Sequence, residues 1–186
     1  MPDTEAYRIH GDNILECENA LRILAKALKC VDKPEFCKSL PFAPLYRIKR
    51  PDGAILKFQL LPGYGRWGID LKRFFLMQGA PLREATDAVI TRVSKTADGL
   101  IETPILAFEF CGALPAGNNA WQRCGRALSM AYAKIPYLYY AELGGVELGE
   151  GRTVKAPRFP NPLVPFAYVT LGSTEKTISI PVFVPY

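Results

Sequence analysis

"ILAFEFCGALPAGNNAWQRCGRAL", residues 105–128, is an apolar run that ends on one carboxylate, Glu109, and then passes through a loop of small residues into a helix with a polar start. Strand alternation puts Ala107, Glu109 and Cys111 on one side and Leu106, Phe108 and Phe110 on the other. The Leu/Phe side reads as core, which leaves Glu109 over a cleft beside small neighbours. Upstream, "REATDAVITRV" (83–93) and "ETPILAFEF" (102–110) read as two strands joined through the turn "TADG". Asp87 lies in the first of them, where Ala88 and Ile90 should face inward. Two acids on adjacent strands can converge on one divalent ion, which relieves their repulsion, can hold a phosphate oxygen and can activate a water. The competing reading is a pair of solvated carboxylates at a strand edge.

Working outward, "HGDNILECENALRILAKALKC" predicts a helix, with Gly11, Asp12 and Asn13 as its start signal and Ile14, Cys17, Leu21, Leu24 and Leu28 at helical spacing. "LYRIKR" and "AILKFQL", separated by Pro51-Asp52-Gly53, predict a hairpin. "YGRWGIDLKRFFLMQG" supports neither helix nor strand clearly. "NNAWQRCGRALSMAYAK" predicts the second helix, and the aromatic-rich "PYLYYAEL" a strand that Gly144-Gly145 ends. Residues 146–164 read as loop, and "FAYVTLG" and "TISIPVFVP" as two closing strands. The pattern is that of an α/β protein with a mixed β-sheet flanked by few helices. The chain ends directly after an apolar strand, as a fragment of a longer protein would.

Composition narrows the function classes. With 186 residues the chain is expected to form a single domain, 1–186. No apolar stretch is long enough for a helical membrane span, and Met1–His10 is too polar for a signal peptide, so a soluble cytoplasmic protein is expected. Five cysteines without a C-x-x-C pair argue against a disulfide framework and a structural zinc site. A single histidine, His10, argues against a His-rich metal site or a Ser-His-Asp triad, so any metal would be a hard cation held by carboxylates. The net charge of +5 agrees with a polyanionic partner.

Asp at the end of one strand, a Glu on the next at the place of a Glu-x-Lys motif, and a following helix that opens with Gln together resemble the PD-(D/E)XK nucleases, in particular their restriction-endonuclease branch. The resemblance spans roughly residues 10 to 143. It implies a restriction-endonuclease-like core and a metal-dependent DNA endonuclease using Mg²⁺ or Mn²⁺, with DNA as partner and a homodimer as one assembly. It also implies that Asp87 is the first acid and Glu109 the second, and that Gln122 is the polar residue of the following helix. "GDNILECENAL" resembles the segment that carries an extra metal-linked glutamate, for which Glu16, on the inward flank near Ala20 and Ile23, is preferred over Glu18. Cys111 stands where the family lysine would be, and a thiol is a weak donor without positive charge.

Alternatives remain at several positions. Asn13-x-x-Glu16 and Asn119-x-x-Gln122 can each be capping boxes. Glu18 is spaced to pair with Arg22 on an exposed face. Lys57, Arg123 and Arg126 are candidates to replace the missing lysine, and the two arginines could equally hold phosphates or form a solvated face. Cys111 reads as a small half-buried hydrophobe. "YRIKRPDG" and "LKRFF" could track phosphates or protect a hairpin edge. The reading that gathers these features is a metal-dependent endonuclease hydrolysing phosphodiester bonds. The alternatives are a catalytically silent nucleic-acid-binding module of the same fold and a soluble interaction domain.

Overall fold

The periodicity of the N-terminal segment points only to a helix, yet a strand precedes it. The computed structural model describes residues 5–30, 32–38, 42–97, 99–111, 123–143 and 163–185. In it β1 (Glu5–Gly11) runs directly into α1 (Ile14–Ala27). Then come β2 (Glu35–Lys38), β3 (Leu45–Lys49), β4 (Ile55–Pro62) and α2 (Leu71–Met77). After these follow β5 (Ala88–Thr96), β6 (Gly99–Cys111), α3 (Cys124–Tyr132) and β7 (Tyr137–Leu143). Last are α4 (Leu163–Thr174) and β8 (Ser179–Pro185). The class is α/β with a mixed sheet, as expected. The chain divides into two compact units, Met1–Leu71 with Asp87–Leu106, and Lys72–Thr86 with Ala107–Tyr186.

The first unit is built on β1. Its hydrogen-bonded strand order is β2-β3-β4-β1-β5-β6. β1 runs parallel to β4 and antiparallel to β5, with Ile9 opposite both Leu60 and Ile90. Helix α1 covers this sheet with Cys17, Ala20, Leu21 and Ala25, the i, i+3, i+4, i+8 stripe of an amphipathic helix. The chain turns from strand to helix within two residues, and Gly11 permits it. A Cβ at Gly11 would lie 2.7 Å from Cys17 Sγ and 3.1 Å from the Asp87 carbonyl oxygen. On the other side of β1, Arg8, His10 and Thr91 all bond Glu102, His10 through Nε2 at 2.7 Å and Thr91 through Oγ1 at 2.7 Å. Burial alone would raise the Glu102 pKa, but these bonds outweigh it and hold the carboxyl at about 2. The one histidine of the chain is therefore a buried partner in a sheet network.

The second unit has the order β6-β7-β8, all parallel. Glu109 stands opposite Tyr139, and Tyr139 opposite Pro181, so Ala107, Glu109, Cys111, Tyr137 and Tyr139 share one face. Tyr137 and Tyr139 meet Tyr168 of α4 edge-to-face at ring distances of 6.0 and 5.0 Å. Parallel strands are covered on both faces, and this changes the reading of the decisive stretch. Ala107, Phe108, Glu109 and Cys111 are all buried, so Glu109 is inside the unit and not over a cleft.

Other expectations need correction. "FAYVTLG" is not a strand but the body of α4, whose residues are apolar all round and so carry no helical periodicity. Its threonines bond back to the preceding turn, Thr170 Oγ1 donating to the Phe166 carbonyl and Thr174 Oγ1 to that of Thr170. The strand expected from residue 83 begins at Ala88, β2 lies where no element is expected, and the ambiguous stretch around Leu71–Met77 is the helix α2. The hairpin, α1, β7 and β8 lie where the pattern puts them.

Because Cys17 is fully buried and its thiol lies 3.5 Å from the Ile9 carbonyl, the Gly11 contact has little room to relax. Gly11→Ala is expected to cost about 1–3 kcal/mol through overpacking, read as a lowered urea midpoint at unchanged slope. An unchanged midpoint would show that the strand–helix junction tolerates a side chain.

Candidate functional site

The end of β1 and the start of β5 are tied together. Gly11 pairs with Ala88, and one step further the Asp12 amide donates to the Asp87 carbonyl at 3.2 Å. This sets Asp12 and Asp87 at one end of the first unit's sheet. Helix α1 then contributes Glu16 from its first turn. Asn13 is the N-cap, its Oδ1 accepting from the Glu16 amide at 3.1 Å. One carboxylate oxygen from each of Asp12, Glu16 and Asp87 lies within 4.8 Å of the others. Asp87 is buried, Glu16 partly buried and Asp12 exposed, so the cluster opens to solvent on one side.

Glu16 is the strained member of this group. Desolvation, then the charges of Asp87 and Asp12, push its pKa up to about 7, although the backbone and side chain of Asn13 pull it down. Its Oε2 is buried and has no hydrogen-bond partner. The capping box expected at Asn13-x-x-Glu16 is thus compatible with the site, because the cap leaves the second oxygen unmatched. Tyr64 stands close by, donating from Oη to the His10 carbonyl at 3.2 Å, and burial among these acids drives its pKa well up.

Three hard oxygen donors within 4.8 Å of one another suit a divalent cation such as Mg²⁺, for which donor separations of about 3–4 Å are normal and a small closure suffices. A bound cation would remove the repulsion that raises Glu16. The chemistry of the donor set therefore fits the group implied by the resemblance. Asp87 and Glu16 are two of the expected ligands. Asp12 was read only as part of a helix start signal, although its i, i+4 spacing to Glu16 across Asn13 was available in the sequence.

Glu109 has a different environment, inside the second unit. Its side chain is 0% exposed, and Arg123 Nε donates to Oε1 at 2.7 Å while Arg126 Nη1 donates to Oε1 at 2.9 Å and to Oε2 at 3.2 Å. Arg126 also reaches Glu84 at 3.8 Å. Arg123 and Arg126, expected on phosphates, thus neutralise a buried carboxylate. Cys111 is buried beside Tyr139 on the same face. Lys57 is exposed on β4, registered opposite Arg47. Glu18 accepts from Tyr46 Oη at 3.3 Å. Gln122 lies outside the described residues.

The sequence matches no family model, and none of the curated proteins or solved structures searched matches it.

The two glutamates should respond oppositely to neutralisation. Glu109→Gln leaves two guanidinium groups facing an uncharged amide and is expected to cost about 2–3 kcal/mol, below the full cost of a broken buried pair because each arginine is 27% exposed. Glu16 has a folded pKa of about 7 against an ordinary 4.5. Its penalty is absent below pH 4.5, builds between 4.5 and 7 and is complete above 7. In metal-free buffer Glu16→Gln should therefore raise the melting temperature above pH 7 and leave it unchanged near pH 4. Melting curves across this range check both substitutions, and an equal loss from both would end the distinction.

Proposed function

We propose that the protein is a metal-dependent DNA endonuclease of restriction-endonuclease type, with Asp12, Glu16 and Asp87 holding the catalytic Mg²⁺ or Mn²⁺. The observation that carries this reading is the cluster of Asp12, Glu16 and Asp87, whose Glu16 also carries a buried oxygen without a hydrogen-bond partner. A protein gains no stability from such an arrangement, and buried groups of this kind gather at functional sites. The order of elements along the chain supports the reading: a strand that begins directly after Asp87, the strand bearing Glu109, a helix, and a strand parallel to the second.

When bound, the cation supplies Lewis acidity toward a phosphate oxygen and lowers the pKa of a coordinated water. Asp87 and Asp12 fix the position from two tied strand ends, and Glu16 closes the donor set from the helix. Glu16, its pKa held near neutrality in the metal-free protein, would give up its proton as it closes on the cation and act there as a charged ligand. Glu109 serves this reading as the counter-charge that anchors α3 to β6, and the cationic role of the absent lysine falls to Arg66, exposed on the cavity that Asp12 also lines, while Lys57 pairs with Ala6 toward the other end of β1.

Two measurements test the proposal. Plasmid DNA incubated with Mg²⁺ or Mn²⁺ should be nicked or cut, and Asp87→Asn should reduce the rate by at least about a hundredfold while preserving the fold. Titration calorimetry should show Mn²⁺ binding that weakens as pH falls below about 7, with release of up to one proton as Glu16 ionises. Metal binding without cleavage, with DNA still bound, would favour the silent binding module. Absence of metal binding would end the nuclease reading.

A further inference from the structure

We propose that the cavity beside Asp12 is a stacking subsite for an unpaired nucleotide of a DNA strand, so that the substrate presents a single-stranded or extruded base next to the acidic centre. This rests on the nuclease reading above. The cavity, about 550 Å³, is lined by Asp12, Asn13, Phe42, Pro62, Arg66 and Trp67 among others. Its size falls within the range of about 300–1,000 Å³ typical of small-molecule sites. Asp12 belongs both to this wall and to the carboxylate cluster, so the two sites are continuous within the first unit.

Phe42 is the telling residue. Its side chain is 85% exposed, and its backbone φ is +60°, a left-handed conformation that bulky residues avoid. Neither burial nor backbone preference explains a phenyl ring held in this way. Strain of this kind clusters at active sites and ligand clamps, and Phe42 carries it on the wall of a cavity. Trp67, which also lines the cavity, is anchored by its indole N–H, which donates to the Pro62 carbonyl at 2.9 Å. The loop that carries it is tied to the end of β1, since the Gly63 amide donates to the Gly11 carbonyl at 2.7 Å. Trp67 is thereby tied to the end of β1, next to Asp12.

One chemistry matches these parts. A nucleobase offers two flat faces to aromatic side chains, and stacking of this type tolerates any base sequence. The exposed Arg66 guanidinium supplies a charge for the attached phosphate. An adjoining phosphate would face the carboxylate-held cation. A base within a duplex has both faces covered by its neighbours, so only an unpaired or extruded base can enter.

Tryptophan fluorescence tests the proposal. The chain has two tryptophans, Trp67 and Trp121, so Trp67 is the sole reporter in a Trp121→Phe background. A short single-stranded DNA oligonucleotide, and the same sequence as a blunt duplex, are titrated in Ca²⁺ to limit hydrolysis. The single strand should quench Trp67, and Phe42→Ala should weaken its binding by at least about tenfold with no change in melting temperature, because the ring is exposed. Duplex binding should be indifferent to Phe42→Ala. Unchanged single-strand affinity in Phe42→Ala, or equal quenching by the duplex, would overturn the subsite. Phe42-dependent quenching without cleavage in Mg²⁺ or Mn²⁺ would support the subsite and remove the nuclease reading. Duplex cleavage insensitive to Phe42→Ala and Arg66→Ala would keep the nuclease and overturn the subsite.

Discussion

The close approach at Gly11 governs the first unit. A strand can pass into a helix within two residues only if the last strand residue carries no side chain, because Cys17 Sγ and the Asp87 carbonyl already occupy that space. The same junction places the Asp12 amide on the Asp87 carbonyl and Asn13 at the helix cap. Glu16 then has no freedom to leave: the cap holds its backbone, and α1 packs on β1, β4 and β5. The carboxylate cluster is thus a consequence of how tightly the helix is set against the sheet.

Three buried or partly buried acids show how the fold treats negative charge. Glu102 is matched by Arg8, His10 and Thr91, and Glu109 by two arginines. Both have the donors that a desolvated carboxylate requires. Glu16 has only its cap and two like charges beside it. The contrast singles out this cluster as the place where the chain leaves an electrostatic demand for something else to meet. Continuity with the Phe42–Trp67 cavity through Asp12 gives that demand a direction.

Local patterning located much of the chain correctly and failed for identifiable reasons. The hairpin around Pro51-Asp52-Gly53, α1, β7 and β8 have periodicity and turn residues of their own. Strand β1 is short, with Arg8 and His10 alternating with Tyr7 and Ile9, and its polar side looks solvated until Glu102 is seen to satisfy it. Helix α4 is rich in aromatic and β-branched residues, with Val164 and Tyr168 buried while Leu163 and Phe166 stay exposed, and that composition resembles a strand.

The sequence by itself determined the α/β class, because this follows from residue types and local spacing, while Asp87 and Glu16 stood out through a family resemblance. Only the tertiary structure decided how the acids divide. Whether a buried carboxylate meets a guanidinium or another carboxylate depends on which strands are neighbours and on which face of a helix looks down on them. Arg123 and Arg126 follow Glu109 by 14 and 17 residues, and nothing in that separation says that both return to it. Asp12 and Asp87 are far apart in the chain and become partners through the antiparallel register of β1 with β5. Register is a long-range property of the sheet, set by the whole pattern of buried residues and not by any single stretch.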